Sequence, residues 1–373
     1  MSQPLLFTPM KLRGVTSSNR CVLSPMVQYK AMDGQVNDYH LVHLGQFALG
    51  RFGIVFTENC AVEPSGRVSQ GDLGIWDDGQ IEGHQRLVRF LQQQGSLAGI
   101  QISHAGRKGS SPRPFDAPGE FGPVGACWQH WEVVGPSALS AGAGFPIPKE
   151  LSIENIEELI HCFATAARRA DQAGYDVIAI HSAHGYLLAQ FLSPISNQRH
   201  DHYGGDIKGR MRFPLEVVRA VREEMQEDKP LFVRVSALDG GGGWDLADTV
   251  VFAKELRSLG VDVVDCSSGG LTGLVTAQPI QRFPGFQVPF ASAVRHQSGV
   301  GTMAVGLILD GPQAESILQA GDADLVAIAR QALQDPHWPL HAAKELGCDD
   351  HYDLWPTEYG WWLNRRKANF PSL

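Results

Sequence analysis

Long apolar runs are missing from this chain. Nowhere do its 373 residues supply the roughly 20 consecutive apolar positions that cross a bilayer, and the start, Met1-Ser2-Gln3-Pro4-Leu5-Leu6-Phe7, has no basic region leading into an apolar stretch. A cytoplasmic protein without a membrane partner is expected. A basic surplus is missing too. Lys and Arg number 31 against 40 Asp and Glu, for a net charge of −9, and the one dense basic block is the short Arg365-Arg366-Lys367. That balance argues against a nucleic-acid surface and suits a small-molecule substrate. The six cysteines (Cys21, Cys60, Cys127, Cys162, Cys266, Cys348) are scattered with no C-x-x-C pair. This spacing argues against zinc ribbons and iron–sulfur clusters and leaves reduced, mostly buried thiols. Last, no glycine-rich turn follows the first apolar run: Leu23-Ser24-Pro25-Met26-Val27 contains no glycine, so the dinucleotide fingerprint is absent where an open doubly wound sheet would need it.

What is there is a regular alternation. With 43% hydrophobic residues the chain can bury a large core. Eight short apolar runs, at 21–23, 54–57, 98–102, 177–180, 231–235, 261–265, 303–305 and 325–328, read as strands. Between them lie amphipathic helical patterns at 39–49, 81–94, 154–170, 211–225, 246–259, 290–296 and 314–320, the clearest being 154–170 behind a candidate cap at Ser152. Strands alternating with helices pair in parallel, and eight such units close into a (β/α)8 TIM barrel, the α/β fold expected for residues 1–373 as a single domain. An insertion at 107–150, rich in Gly, Pro and Trp, is too long for an ordinary loop and is expected to fold over the barrel mouth. A tail at 351–373 follows the last unit.

In such a barrel the chemistry sits at the carboxyl ends of the strands. The fourth run, Tyr175-Asp176-Val177-Ile178-Ala179-Ile180, delivers His181-Ser182-Ala183-His184-Gly185-Tyr186 to that end. Two imidazoles can offer N–H donors to one oxygen and a phenol can supply a proton, which suits a carbonyl whose conjugated system is being reduced. Read alone, His-x-x-His also fits ordinary hydrogen-bonded histidines, or two ligands of a metal that needs a third. Neighbouring strand ends bring Thr57-Glu58-Asn59, Gln101 with His104, and Arg234 with Ser236. Near the seventh and eighth come Gly306, Gly321-Asp322-Ala323-Asp324 and Ala329-Arg330, where barrels of this kind often grip a phosphate.

Taken together, the sequence resembles the Old Yellow Enzyme family of flavin-dependent ene-reductases, in its short bacterial, thermophilic-like branch. The resemblance runs through Leu6-Phe7-Thr8-Pro9, Ser24-Pro25-Met26, Gln101-Ile102-Ser103-His104-Ala105-Gly106-Arg107-Lys108, the stretch from His181 to Gly205, Leu231 to Ser236, Asp265-Cys266-Ser267-Ser268-Gly269 and Phe283-Pro284-Gly285. It implies FMN across the barrel mouth, backed by Ser24, Pro25, Met26 and Val27 with Asn59 beside it. Gln101 and Arg234 then face the pyrimidine edge, and Gly306, Ala329 and Arg330 grip the phosphate. It implies NADPH or NADH as a transient hydride donor and activated alkenes as substrates. His181 and His184 hold the substrate carbonyl, Tyr186 protonates the α-carbon, and Tyr29 lines the substrate pocket. A homo-oligomer, namely a dimer, is also implied, and no metal.

Two departures stand out. The branch usually carries cysteine where this chain has Val27, and some relatives send a C-terminal arginine into the neighbouring subunit where this chain has Tyr359, within Glu358-Tyr359-Gly360-Trp361-Trp362. An altered flavin potential and an aromatic wall from a partner chain are the corresponding expectations. His104, Cys60 and Cys266 are expected to be structural, and Gly240-Gly241-Gly242-Gly243 a flexible loop rather than a phosphate cradle. The competing class is a metal-dependent barrel hydrolase with His181 and His184 as ligands.

Overall fold

The computed structural model describes residues 3–115, 130–273 and 280–369. Eight parallel strands close on themselves: β1 (Cys21–Leu23), β2 (Ile54–Ala61), β3 (Leu97–Ser103), β4 (Val177–Ser182), β5 (Leu231–Ser236), β6 (Val263–Ser267), β7 (Gly301–Val305) and β8 (Leu325–Ile328), with β8 pairing back to β1 and β1 to β2. Helices α1 (Asp38–Leu49), α2 (Ile81–Gln93), α3 (Ile153–Ala173), α4 (Ile207–Glu224), α5 (Leu246–Ser258), α6 (Val288–Ser298), α7 (Gly311–Gln319) and α8 (Trp338–Glu345) follow the strands in turn. The expected TIM barrel is therefore what forms. Its last helix, α8, has no counterpart among the sequence-read patterns.

Each helix begins and ends for local reasons. Ser152 Oγ accepts the Asn155 N–H at the start of α3, as its position suggested, and Gly174 closes that helix in the left-handed conformation at φ 91°. Two hydrophobic layers result. Alternate strand residues such as Ile178, Ile180, Val233 and Val264 pack outward against the helices, while Val177, Ala179, Phe232, Val263, Met303 and Leu325 fill the barrel interior.

Alternation also decides what reaches the mouth. Successive strand residues point to opposite faces. Val177 and Ala179 face inward, so His181 does as well; Phe232 carries the same face to Arg234 and Ser236, and Val263 carries it to Asp265 and Ser267. Strand β2 keeps the rule only through a register shift between Phe56 and Asn59, which sets Asn59 opposite Gln101. The sequence-read strands stopped short at this end. β2, β4, β5 and β6 run one to four residues further than expected, so the first histidine and Asn59 lie on strands and not beyond them.

Of the 107–150 insertion, the helical turn Gly106–Lys108 and a parallel pair, Val134–Gly135 with Lys149–Glu150, are described; 116–129 lie outside the described residues. The tail forms a helix, Thr357–Asn369, and Arg51 Nε donates to Leu354 O just before it. Arg51 precedes β2, so in its own chain the tail lies near the end of the barrel where strands begin.

Candidate active site

The carboxyl ends of the strands surround a cavity of about 460 Å³, within the usual range for a small-molecule site. Pro25, Met26, Val27 and Tyr29 line it from the end of β1, Asn59 and Gln101 from β2 and β3, His181, His184 and Tyr186 from the end of β4, and Arg234 from β5. Gly306 lines it from the end of β7, and Ala329 and Arg330 from the end of β8. Of the expected site residues Ser24 alone is not on this surface. Its buried hydroxyl has no partner and shares a narrow gap with His40 and Glu58.

The histidine wall is held by four consecutive strands. His184 adopts φ 57°, a left-handed conformation uncommon outside glycine, and Gly185 follows at φ 70°, where a Cβ would stand 2.3 Å from Gly270 O. Ser236 Oγ accepts the His184 N–H at 2.9 Å and donates to Gly269 O at 2.8 Å. Lys108 Nζ donates to His184 O at 3.0 Å and also to Gly270 O. This lysine is buried without a carboxylate, and burial, reinforced by the Arg107 guanidinium, pulls its ammonium down to about 7.

The rings stack as a unit. His181 meets His184 edge to face at 5.2 Å and Tyr186 at 4.9 Å between centroids. His181 Nε2 and His184 Nδ1 lie 3.4 Å apart, and His184 Nε2 is 2.7 Å from Ser267 Oγ. Burial, and then the positive charges of Arg234 and Lys108, hold both imidazoles well below their usual range, so they are neutral at physiological pH. Burial raises the Tyr186 phenol above its usual range and keeps it protonated. Each neutral ring thus carries one N–H to donate, and Tyr186 holds an available proton.

Arg234 Nε approaches Asp265 Oδ2 to 3.0 Å, close enough for an ion pair although not aligned as a hydrogen bond. This carboxylate, opposite Arg234 in the strand register, belongs to the Asp265-Cys266-Ser267-Ser268-Gly269 motif, but no role followed for it from the sequence. Burial raises it and Arg234 works against that rise.

The remaining surfaces fit FMN. Both amide atoms of Asn59 are buried without a partner, as a wall awaiting a ring edge with both donors and acceptors would be. Gly306, at φ 115°, keeps the end of β7 free of a side chain: a Cβ there would meet Gln287 Nε2 at 2.9 Å. Arg330, exposed on the same cavity, is a cation that could pair with a phosphate.

His104 does not line the cavity; its Nδ1 accepts the Gly106 N–H and its Nε2 meets Glu63 at 2.9 Å. The backbone N–H groups of Gly241, Gly242, Gly243 and Trp244 converge on the Asp239 carboxylate, so this cradle is filled by the chain's own anion. Cys60 and Cys266 are buried and their thiols raised by burial. Among the described residues no group of three or more metal-ligating side chains occurs. Ser267 and Gln287 also line the cavity; Ser267 stood in the quoted Asp265–Gly269 motif without a role, and Gln287, just before α6, had no sequence signal. Ile280 and Arg282, also lining, come from a segment without periodicity.

The sequence profile described as NADH:flavin oxidoreductase / NADH oxidase family matches residues 5–348. An NADPH dehydrogenase of Geobacillus thermodenitrificans is 44% identical over 346 residues, covering 92% of this chain and 95% of the relative. One of Bacillus subtilis is 43% identical over 347 residues, covering 92% and 96%. Among solved structures, morphinone reductase superposes with a TM-score of 0.76 at 27% identity, over 93% of this chain and 90% of the other.

Proposed function

Because the chain belongs to the NADH:flavin oxidoreductase / NADH oxidase family, with its Old Yellow Enzyme-like members, and is an FMN-dependent oxidoreductase served by NADPH or NADH, we propose that it is an ene-reductase. Its substrates in this reading are α,β-unsaturated carbonyl compounds. The observation that carries it is the pair of neutral histidine nitrogens 3.4 Å apart beside a protonated tyrosine. One oxygen can lie within hydrogen-bond reach of both nitrogens.

When bound, FMN supplies the redox chemistry that no side chain here has, taking a hydride from the nicotinamide and delivering one to the β-carbon of the alkene. The protein does the rest. His181 and His184 donate to the substrate carbonyl oxygen and stabilise the negative charge that develops there. Tyr186, its phenol protonated by burial, gives its proton to the α-carbon. Arg234, on β5, places a cation on the cavity surface. Tyr29, whose ring meets Phe115 edge on at 5.9 Å, borders the substrate side, and that contact supports the insertion at 107–150 as a cap within a single domain. Exposed Trp361 and Trp362 on the tail support a homodimer, and the unpaired, buried thiols of Cys21, Cys60 and Cys266 support a cytoplasmic setting.

Replacing Tyr186 by Phe separates the two halves of the reaction. Anaerobic stopped-flow should find alkene reduction slowed about 100-fold or more, with reduction of FMN by NADPH within about threefold of wild type. Equal losses in both halves would remove Tyr186 as the proton donor.

A further inference from the structure

The histidine pair is wired in one direction. The Ala183 backbone N–H lies 3.2 Å from His181 Nδ1; a backbone N–H can only donate, so that nitrogen is bare and the ring's single proton is on Nε2. That N–H points at His184 Nδ1, 3.4 Å away. His184 Nδ1 is then an acceptor, which leaves the His184 proton on Nε2, 2.7 Å from Ser267 Oγ. The Ser267 hydroxyl finds its own acceptor in Gln287 Oε1 at 3.4 Å. Gln287 is pinned in turn, by Ser268 Oγ at 2.8 Å and through its own Nε2 to Val305 O at 3.2 Å.

An oxygen ligand between the histidines needs the opposite arrangement. To receive two N–H bonds it requires the proton of His184 on Nδ1. His184 Nε2 is then bare, and in a buried site a bare ring nitrogen without a donor is costly. We infer that Ser267 is a positioning residue that lets the His184 proton change nitrogen, accepting from Nε2–H in the ligand-free pair and donating to Nε2 once an oxygen occupies the clamp. The proton count is unchanged. The imidazole proton leaves Nε2 and is found on Nδ1, while the Ser267 hydroxyl turns from Gln287 to the ring. Both bonds given up are long, at 3.4 Å, so the exchange costs little compared with the two N–H bonds the oxygen gains. A hydroxyl suits this position because it can serve as either partner: alanine would offer neither, and a carboxylate would lock the proton on Nε2.

This inference rests on the two-donor clamp proposed above. Its test is nitrogen-15 NMR of histidine-labelled, FMN-loaded protein, with His184 signals identified by their loss in His184→Asn. The ligand is 4-hydroxybenzaldehyde at a pH where it is the phenolate, whose oxygen, with no proton to donate, stands in for the substrate carbonyl. His184 is expected to carry its proton on Nε2 alone and on Nδ1 in the complex. Ser267→Ala should keep FMN but raise the Kd for the phenol about tenfold, and Ser267→Thr should return it to within about twofold of wild type. Protonated Nε2 in both states, or an unmoved Kd in Ser267→Ala, overturns the inference alone. A wild-type protein that holds FMN yet takes up no phenol overturns the clamp as well.

Discussion

Val27 lines the cavity next to Met26, and its isopropyl group has no hydrogen to donate to a bound ring. Replacing it by Cys restores a polarisable donor at that point. Val27→Cys should shift the midpoint potential of the bound flavin and change the ratio of the two half-reaction rates; if potential and rates both stay where they were, the side chain at 27 has no electronic role. Single residues were legible in the sequence to the extent that a period-2 strand fixes their face. His181, Arg234 and Gln101 continue apolar strands inward, so their placement at the mouth followed from pattern. Ser24 did not follow. It sits one residue past β1, where alternation ends, and its hydroxyl turns into a gap shared with His40 and Glu58. The roles of Ser267 and Gln287 were missed for a different reason. They come from contacts with other strand units, Ser267 with His184 and Gln287 with Val305, which no local spacing encodes.

The elements were legible as types and misjudged at their ends. Apolar runs reveal where a strand packs, and those runs stop where polar site residues begin, so β2, β4, β5 and β6 were each read too short at the carboxyl side. The register shift before Asn59 was invisible for the same reason. The left-handed turn at His184 and Gly185 needs Lys108, Ser236 and Gly270 from three other units, and only the closed barrel brings these together. The tail helix remains the element with least support from its own chain. Tyr359, Trp361 and Trp362 are 45%, 49% and 67% exposed, more aromatic surface than a solvated helix usually shows. Truncation before Tyr359 should therefore lower the oligomeric state in light scattering and raise KM for several enones, leaving the FMN content intact. A truncated protein with the parent mass and parent KM values would assign the aromatics no part in assembly or pocket.

At the scale of the whole molecule, eight apolar runs alternating with amphipathic helices were enough to imply closure, because parallel pairing of eight units leaves no free edge. The paths of 107–150 and of the segment around 271–282 were not legible. Rich in Gly and Pro, or simply aperiodic, they carry no hydrophobic repeat from which a face could be read. Closure is what makes the site: Asn59, Gln101, His181, Arg234, Ser267 and Gly306 come from six strand units and meet only because the strands form a ring. This ring is proposed to hold FMN and to pass electrons from a nicotinamide to an activated alkene. The direct measurement is anaerobic: the purified protein, loaded with FMN, is mixed with one equivalent of NADPH and then with cyclohexenone while its visible spectrum is recorded. The yellow absorbance should bleach with NADPH and return with cyclohexenone as cyclohexanone forms. A protein that binds no FMN, or whose bleached absorbance cyclohexenone leaves unrestored, would contradict the account.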